Sequence, residues 1–164
     1  MSYSLALRHI DAILRIGLGW IFLWAFLDKL FGFGLGTAPE KAWLAGGSPT
    51  SGFLANSPTG PFANAFNTLA GVAWVDWLFM LGLALIGFAL ILGVGMRIAT
   101  TAGSLLLLLM WLAVLPPKNN PFLDDHLIYL LVLQALQRTR SEQAWSLNQR
   151  WSSLQLVKKH PWLA

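Results

Sequence analysis

The chain contains no cysteine, which excludes a disulfide framework, CxxC thiol chemistry, thiolate zinc sites and iron–sulfur clusters within it. Charge is scarce as well. Only 11% of residues are Asp, Glu, Lys or Arg, against about 25% in a soluble domain, too few to clothe a water-facing surface. Histidine occurs three times, and only His126 lies in an apolar run, so a haem held by two histidines of one chain is not expected. No flavin fingerprint is present, and "GVGMR" (Gly93 to Arg97) lacks the preceding strand that a nucleotide fingerprint requires. No metal site is expected.

What is abundant is apolar. The hydrophobic fraction is 56% and the mean hydropathy +0.60, over 164 residues that suffice for one domain. These values point to an all-α, multi-pass integral membrane protein. The net charge of +4 does not imply a nucleic-acid partner, because the basic residues gather at helix ends and in the C-terminal tail.

A span needs roughly 17–25 residues. Four are predicted, at about 15–35, 73–93, 98–115 and 121–138. The first reads as a retained anchor, since "DKLFGFGLG" continues the helix with no small-x-small cleavage site. Together they give a four-helix bundle over residues 1–138. With the N-terminus inside, the inner face receives Arg8, Arg15, Arg97, Arg138, Arg140, Arg150, Lys158 and Lys159, and the outer face Lys29, Lys41 and Lys118. That bias places both termini in the cytoplasm. The long outer loop from Gly36 to Gly71 carries Trp43, Phe53, Phe62 and Phe66 and is expected to fold over the bundle. Ala89/Gly93 and Thr100/Ser104 offer close helix contacts. In the tail, 139–164, Leu147, Trp151, Leu154 and Lys158 lie near one helical face, which predicts a cytoplasmic amphipathic helix at the membrane surface.

Against this background the few immersed charges stand out. Asp28 follows Arg15 by thirteen residues and Asp125 precedes Arg138 by thirteen, so both belong ~20 Å up a hydrocarbon layer ~30 Å thick. Lys29, Asp76, Asp124 and His126 fall in the same outer third. Immersed charge costs on the order of 2.5–3.5 kcal/mol per residue at mid-membrane and normally pairs within a bundle. Plainer explanations exist for most of these groups. Asn120 as N-cap with Pro121 as first helical residue would make Asp124 and Asp125 dipole partners, and Asp76 near a helix start reads the same way. Trp24, Trp74, Trp77 and Trp111 suit an interfacial belt. Asp28, late in its helix, opposes the dipole, so capping does not explain it.

Acids, one histidine, one lysine and tryptophans at one depth suit a proton-coupled ligand such as a quinone. Asp28 and Asp125 would handle its protons, His126 would hydrogen-bond a carbonyl and Lys29 would stabilise negative charge. Trp20 and Trp24, with Asp124 and Asp76, would complete the binding site.

The stretches "RIGLGWIFLWAFLDKLFGFG", "AGGSPTSGFL" and "NPFLDDHLIYLLVL" resemble the DoxX/DoxD family from about Arg15 to Leu136. The resemblance implies a four-helix bundle in a bacterial or archaeal cytoplasmic membrane and the membrane subunit of a thiosulfate:quinone oxidoreductase. That enzyme oxidises thiosulfate to tetrathionate and is described with a second, mostly soluble subunit. Lys29, Lys41 or Lys118 would then attract the anion. The alternative is a non-catalytic accessory or scaffold subunit of a larger respiratory-type complex, or a homo-oligomer, with the outer loop as a docking surface. A transporter is less favoured, because charge is confined to one leaflet and no helix is visibly broken at mid-membrane.

Overall fold

The computed structural model describes residues 5–140 and 144–163, which are helices and loops with no strand among them. The first helix, α1 (Leu5–Phe31), is 27 residues long and so ~40 Å. It starts ten residues before the predicted span, because nothing in "LALRHIDAIL" breaks a helix once the chain leaves the apolar run. It also stops short of residue 35. Gly32 takes a left-handed φ of 69° and its N–H donates to the Asp28 carbonyl at 2.8 Å, so "GFGLG" turns the chain instead of extending the helix.

Two short helices, α2 (Ser51–Asn56) and α3 (Ala63–Asn67), lie in the ordered 36–72 segment among single 3-10 turns. Next come α4 (Ala73–Leu92) and α5 (Met96–Ala113). Gly93 closes α4 at φ 68°, with its own N–H reaching the Leu90 carbonyl and the Val94 N–H reaching Ala89, the paired terminal bonds of a Schellman end. Helix α6 (Asp125–Arg138) has 14 residues. Its N-cap is Asp124, which corrects the expected start at Pro121. The Asn120 side chain instead accepts from the N–H groups of Phe122 and Leu123, an Asx turn that precedes the helix.

Helices α1, α4 and α5 are long and apolar enough to cross a membrane. Their outward faces support a bilayer environment: Leu78, Leu85 and Leu105 are 65%, 66% and 57% exposed. Helix α1 packs chiefly on α4, α4 on α5, and α5 on α6, which also touches α1. Between helices in lipid the hydrophobic effect supplies little, so close fit must hold them. At the α1–α4 crossing the fit is made by glycines. A Cβ on Gly19 would lie 2.9 Å from the Ile91 backbone nitrogen, and one on Gly87 2.9 Å from that of Leu23. Between α5 and α6 the glue is polar: Gln134 Nε2 donates to Ser104 Oγ at 2.8 Å, and the Gln137 amide oxygen lies 3.1 Å from Thr100 Oγ1. Thr100 and Ser104 thus make the close contact expected of them, within the chain. Gly93 instead ends its helix, so Ala89/Gly93 forms no continuous stripe.

The tail is two short helices, α7 (Asn148–Ser153) and α8 (Gln155–Lys159), rather than one. Leu154 between them is extended (ψ 138°), and the Ser153 hydroxyl donates to the Arg150 carbonyl at 2.7 Å, drawing that acceptor into a local bond. Of the predicted tail, 141–143 and 164 lie outside the described residues.

Candidate functional site

Three buried charges each hold a stretch of non-helical backbone. Asp28, 5% exposed, accepts the Gly36 N–H at Oδ2 (3.1 Å) and so secures the turn after α1. Its Oδ1 is buried without a partner among the described residues. Asp76, in the first turn of α4, accepts on one oxygen from Ser48 Oγ (3.0 Å), the Thr50 N–H (3.1 Å) and Thr50 Oγ1 (2.5 Å). It therefore pins the "GGSPT" loop over the helix ends. Arg15, fully buried, donates from one terminal nitrogen to the carbonyls of Leu90 and Ile91 and from the other to those of Ala144 (3.3 Å) and Trp145 (2.9 Å). Two of those acceptors belong to the last turn of α4, where carbonyls lack helical partners. Arg15 thus clamps the end of α4 to the segment that follows α6.

The acids and histidine of α6 form a separate group. Asp124 Oδ1 accepts from the Leu127 N–H at 3.3 Å, and its Oδ2 lies 2.7 Å from His126 Nδ1. Asp125 is 69% exposed, with Oδ1 3.6 Å from the same nitrogen. The ligand atoms of all three lie within 4.8 Å of one another, but they are consecutive residues engaged with each other at a helix start, as capping requires. Among the described residues no hydrogen bond or ion pair joins this group to Asp28, Lys29 or Asp76.

Trp20 and Trp24 are outward, 51% and 37% exposed, and run with Phe33 as an aromatic edge. Asp28 is buried although it follows them at four-residue steps. Each step rotates by ~40°, so eight residues carry the position ~80° around the helix.

The cavity lies elsewhere. A half-enclosed cleft of about 410 Å³ runs between α4 and α5. Trp74, Leu78, Gly82 and Ile86 line one wall and Ala102, Leu106, Met110 and Ala113 the other. From Trp74 to Ile86 the wall is ~18 Å long. Pro49, Thr50, Phe53 and Phe66, from the segment Asp76 secures, form its roof. The one charged side chain lining it is Lys29, half-buried and without a hydrogen bond or ion pair to any described residue. Lys29 stands in the last turn of α1, where the helix dipole favours a cation. Of the expected site residues, only Lys29 reaches this cleft. Reasoning from charge missed the rest, since the lining is apolar. Gly82, a glycine inside an apolar span, is the one visible signal: a Cβ there would meet nothing within 4 Å.

No family model, curated protein or solved structure matches the chain, so the likeness to the DoxX/DoxD family rests on the quoted motifs alone.

Proposed function

We propose that this protein is a quinone-binding membrane subunit that takes its ligand laterally from the bilayer into the α4–α5 cleft. The observation that carries this reading is an apolar cleft of about 410 Å³ with one cation on its wall. Its size and its single polar anchor suit a lipophile with a polar head. The quinone ring would pack beside Phe53, Phe66 and Trp74 under the roof, and its tail would follow the wall toward Ile86. The Lys29 ammonium would donate to a carbonyl and stabilise the charge that develops there on reduction.

Four spans in a bacterial or archaeal cytoplasmic membrane, both ends inside, form part of the same proposal. Helix α6, only ~21 Å long, would complete its crossing with the loop before it, and the basic residues support the orientation. The reaction proposed is the one the motif resemblance implies. Two thiosulfates join through a new S–S bond to give tetrathionate and two electrons, which with two protons reduce one quinone to quinol. The electrons would come through a partner subunit at the outer face. Asp125 and His126 have no place in this scheme, since neither lines the cleft.

The test is equilibrium binding of a short-chain ubiquinone to purified protein. Gly82→Phe should fill the cleft without backbone conflict and weaken binding by about tenfold or more, ~1.4 kcal/mol, with Gly82→Ala near wild type. Equal affinity in Gly82→Phe refutes the reading.

One observation favours a second role as a scaffold. Phe122 and Leu123 are 81% and 45% exposed on the loop before α6, outside any helix, as an anchor for another subunit would be. Loss of co-purifying subunits in Phe122→Ser, with quinone binding unchanged, would support it.

A further inference from the structure

We propose that the end of the molecule built from residues 144–163 and the adjoining helix ends is a binding surface for anionic phospholipid headgroups. The segment is fastened to the C-terminal end of α4. The Leu147 N–H donates to the Leu92 carbonyl at 2.9 Å, Ser146 Oγ to the Gly93 carbonyl at 3.0 Å, and Arg15 to the carbonyls of Ala144 and Trp145. Because α4 is an apolar helix of membrane-crossing length, its end lies where hydrocarbon gives way to headgroups. Residues fastened there sit at the same level.

Trp145 is held in a left-handed conformation, φ 51°, which a bulky residue adopts only when its surroundings impose it. The result is an indole 62% exposed. Beyond it, Leu156 and Trp162 are 61% and 58% exposed, while Val157 faces inward as the buried residue of α8. Exposed tryptophan and leucine at this level are the apolar half of an interfacial surface.

The other half is charge. Arg97, Arg138, Arg150, Lys158 and Lys159 are all exposed at this end and form no ion pair among the described residues. Residues 144–163 contain no Asp or Glu. Unpaired cations beside exposed apolar groups fit a phosphodiester headgroup with its acyl chains. Each cation near an anionic leaflet contributes about fivefold in affinity.

The experiment titrates the full-length, detergent-solubilised protein with phosphatidylglycerol, with phosphatidylcholine and with inorganic phosphate, reading bound lipid by native mass spectrometry. Phosphatidylglycerol should bind at least tenfold more tightly than phosphatidylcholine. The exposed triple variant Arg150→Gln, Lys158→Gln, Lys159→Gln should reduce that preference by about a hundredfold or to nothing, with its melting temperature in detergent unchanged. Trp145→Ala should weaken both lipids alike. Equal affinity for the two lipids, or a preference untouched by the triple variant, overturns the proposal. Inorganic phosphate that displaces phosphatidylglycerol at equal concentration would show an anion site with no lipid recognition, and overturns it too.

Discussion

Replacing Arg15 by methionine should loosen two segments of the molecule at once. Methionine keeps a long unbranched stem in the fully buried slot but removes the guanidinium donors to Leu90, Ile91, Ala144 and Trp145. A hydrogen bond from a charged donor contributes ~1.5–3 kcal/mol, and four would sum to far more than the variant should lose. The guanidinium also carries a desolvation cost that methionine does not. The Ala144 and Trp145 carbonyls, once released, can turn to water. The Leu90 and Ile91 carbonyls, at the negative end of the α4 dipole, lose their cation as well. We therefore expect ~3 kcal/mol of destabilisation, with Arg15→Lys recovering about half, since an ammonium lacks the fork that reaches two pairs of acceptors. The assay is denaturant unfolding in bicelles, followed by circular dichroism. Amide exchange at Leu147, whose N–H is bound to Leu92, reports the tail separately. Trypsin should also cut faster after Arg150, Lys158 and Lys159. Unfolding within ~0.5 kcal/mol of wild type with Leu147 still protected would refute the clamp.

Asp76→Ala should release the roof of the cleft, because Ser48 and Thr50 lose their shared acceptor. Faster exchange of the Thr50 amide and a local cost of ~1–3 kcal/mol are expected. Gly87→Val should separate α1 from α4 and cost ~1–3 kcal/mol by overpacking, measured in the same unfolding assay. Gly17→Ala, where a Cβ meets nothing within 4 Å, should be neutral or stabilising by up to ~1 kcal/mol. Asp124→Ala should lose the α6 cap at a cost of ~1 kcal/mol, and Asp125→Ala, an exposed change, less than ~0.5 kcal/mol. Equal losses at those two positions would contradict the cap assignment.

The ends of α4 and α5 were legible because an apolar run of spanning length stops at residues with a backbone reason to stop it. Gly93 turns the first, and Pro116 and Pro117 follow the second. For helix α6 the expected start was Asn120–Pro121 and the observed cap is Asp124, and the side chains of both Asn120 and Asp124 accept backbone N–H groups. Which one opens a helix is decided by the Asp124 backbone, extended at φ −129°, ψ −177°, and composition carries no trace of that. Helix α1 ran past its predicted start for a similar reason. Hydropathy reports where the hydrocarbon ends, while a helix ends where its hydrogen bonding does.

The site was harder to read because depth gives only height. Asp28 and Asp125 stand equally far along the sequence from Arg15 and Arg138, yet one is buried and the other exposed. The rotation of each helix about its axis, set by contacts such as Gly19 with Gly87, is non-local. The buried charges also answer a need that the sequence hides. In a bilayer, irregular backbone must find its hydrogen bonds within the protein. Among the described residues, irregular segments that lie against the helices include 32–72 after α1 and 144–147 after α6. Asp28 and Asp76 supply acceptors to the first, and Arg15 supplies donors to the second. Charge in an apolar helix therefore points first to the loop it satisfies. The cleft between α4 and α5 is visible only once those loops are in place, because its roof is the segment that Asp76 holds.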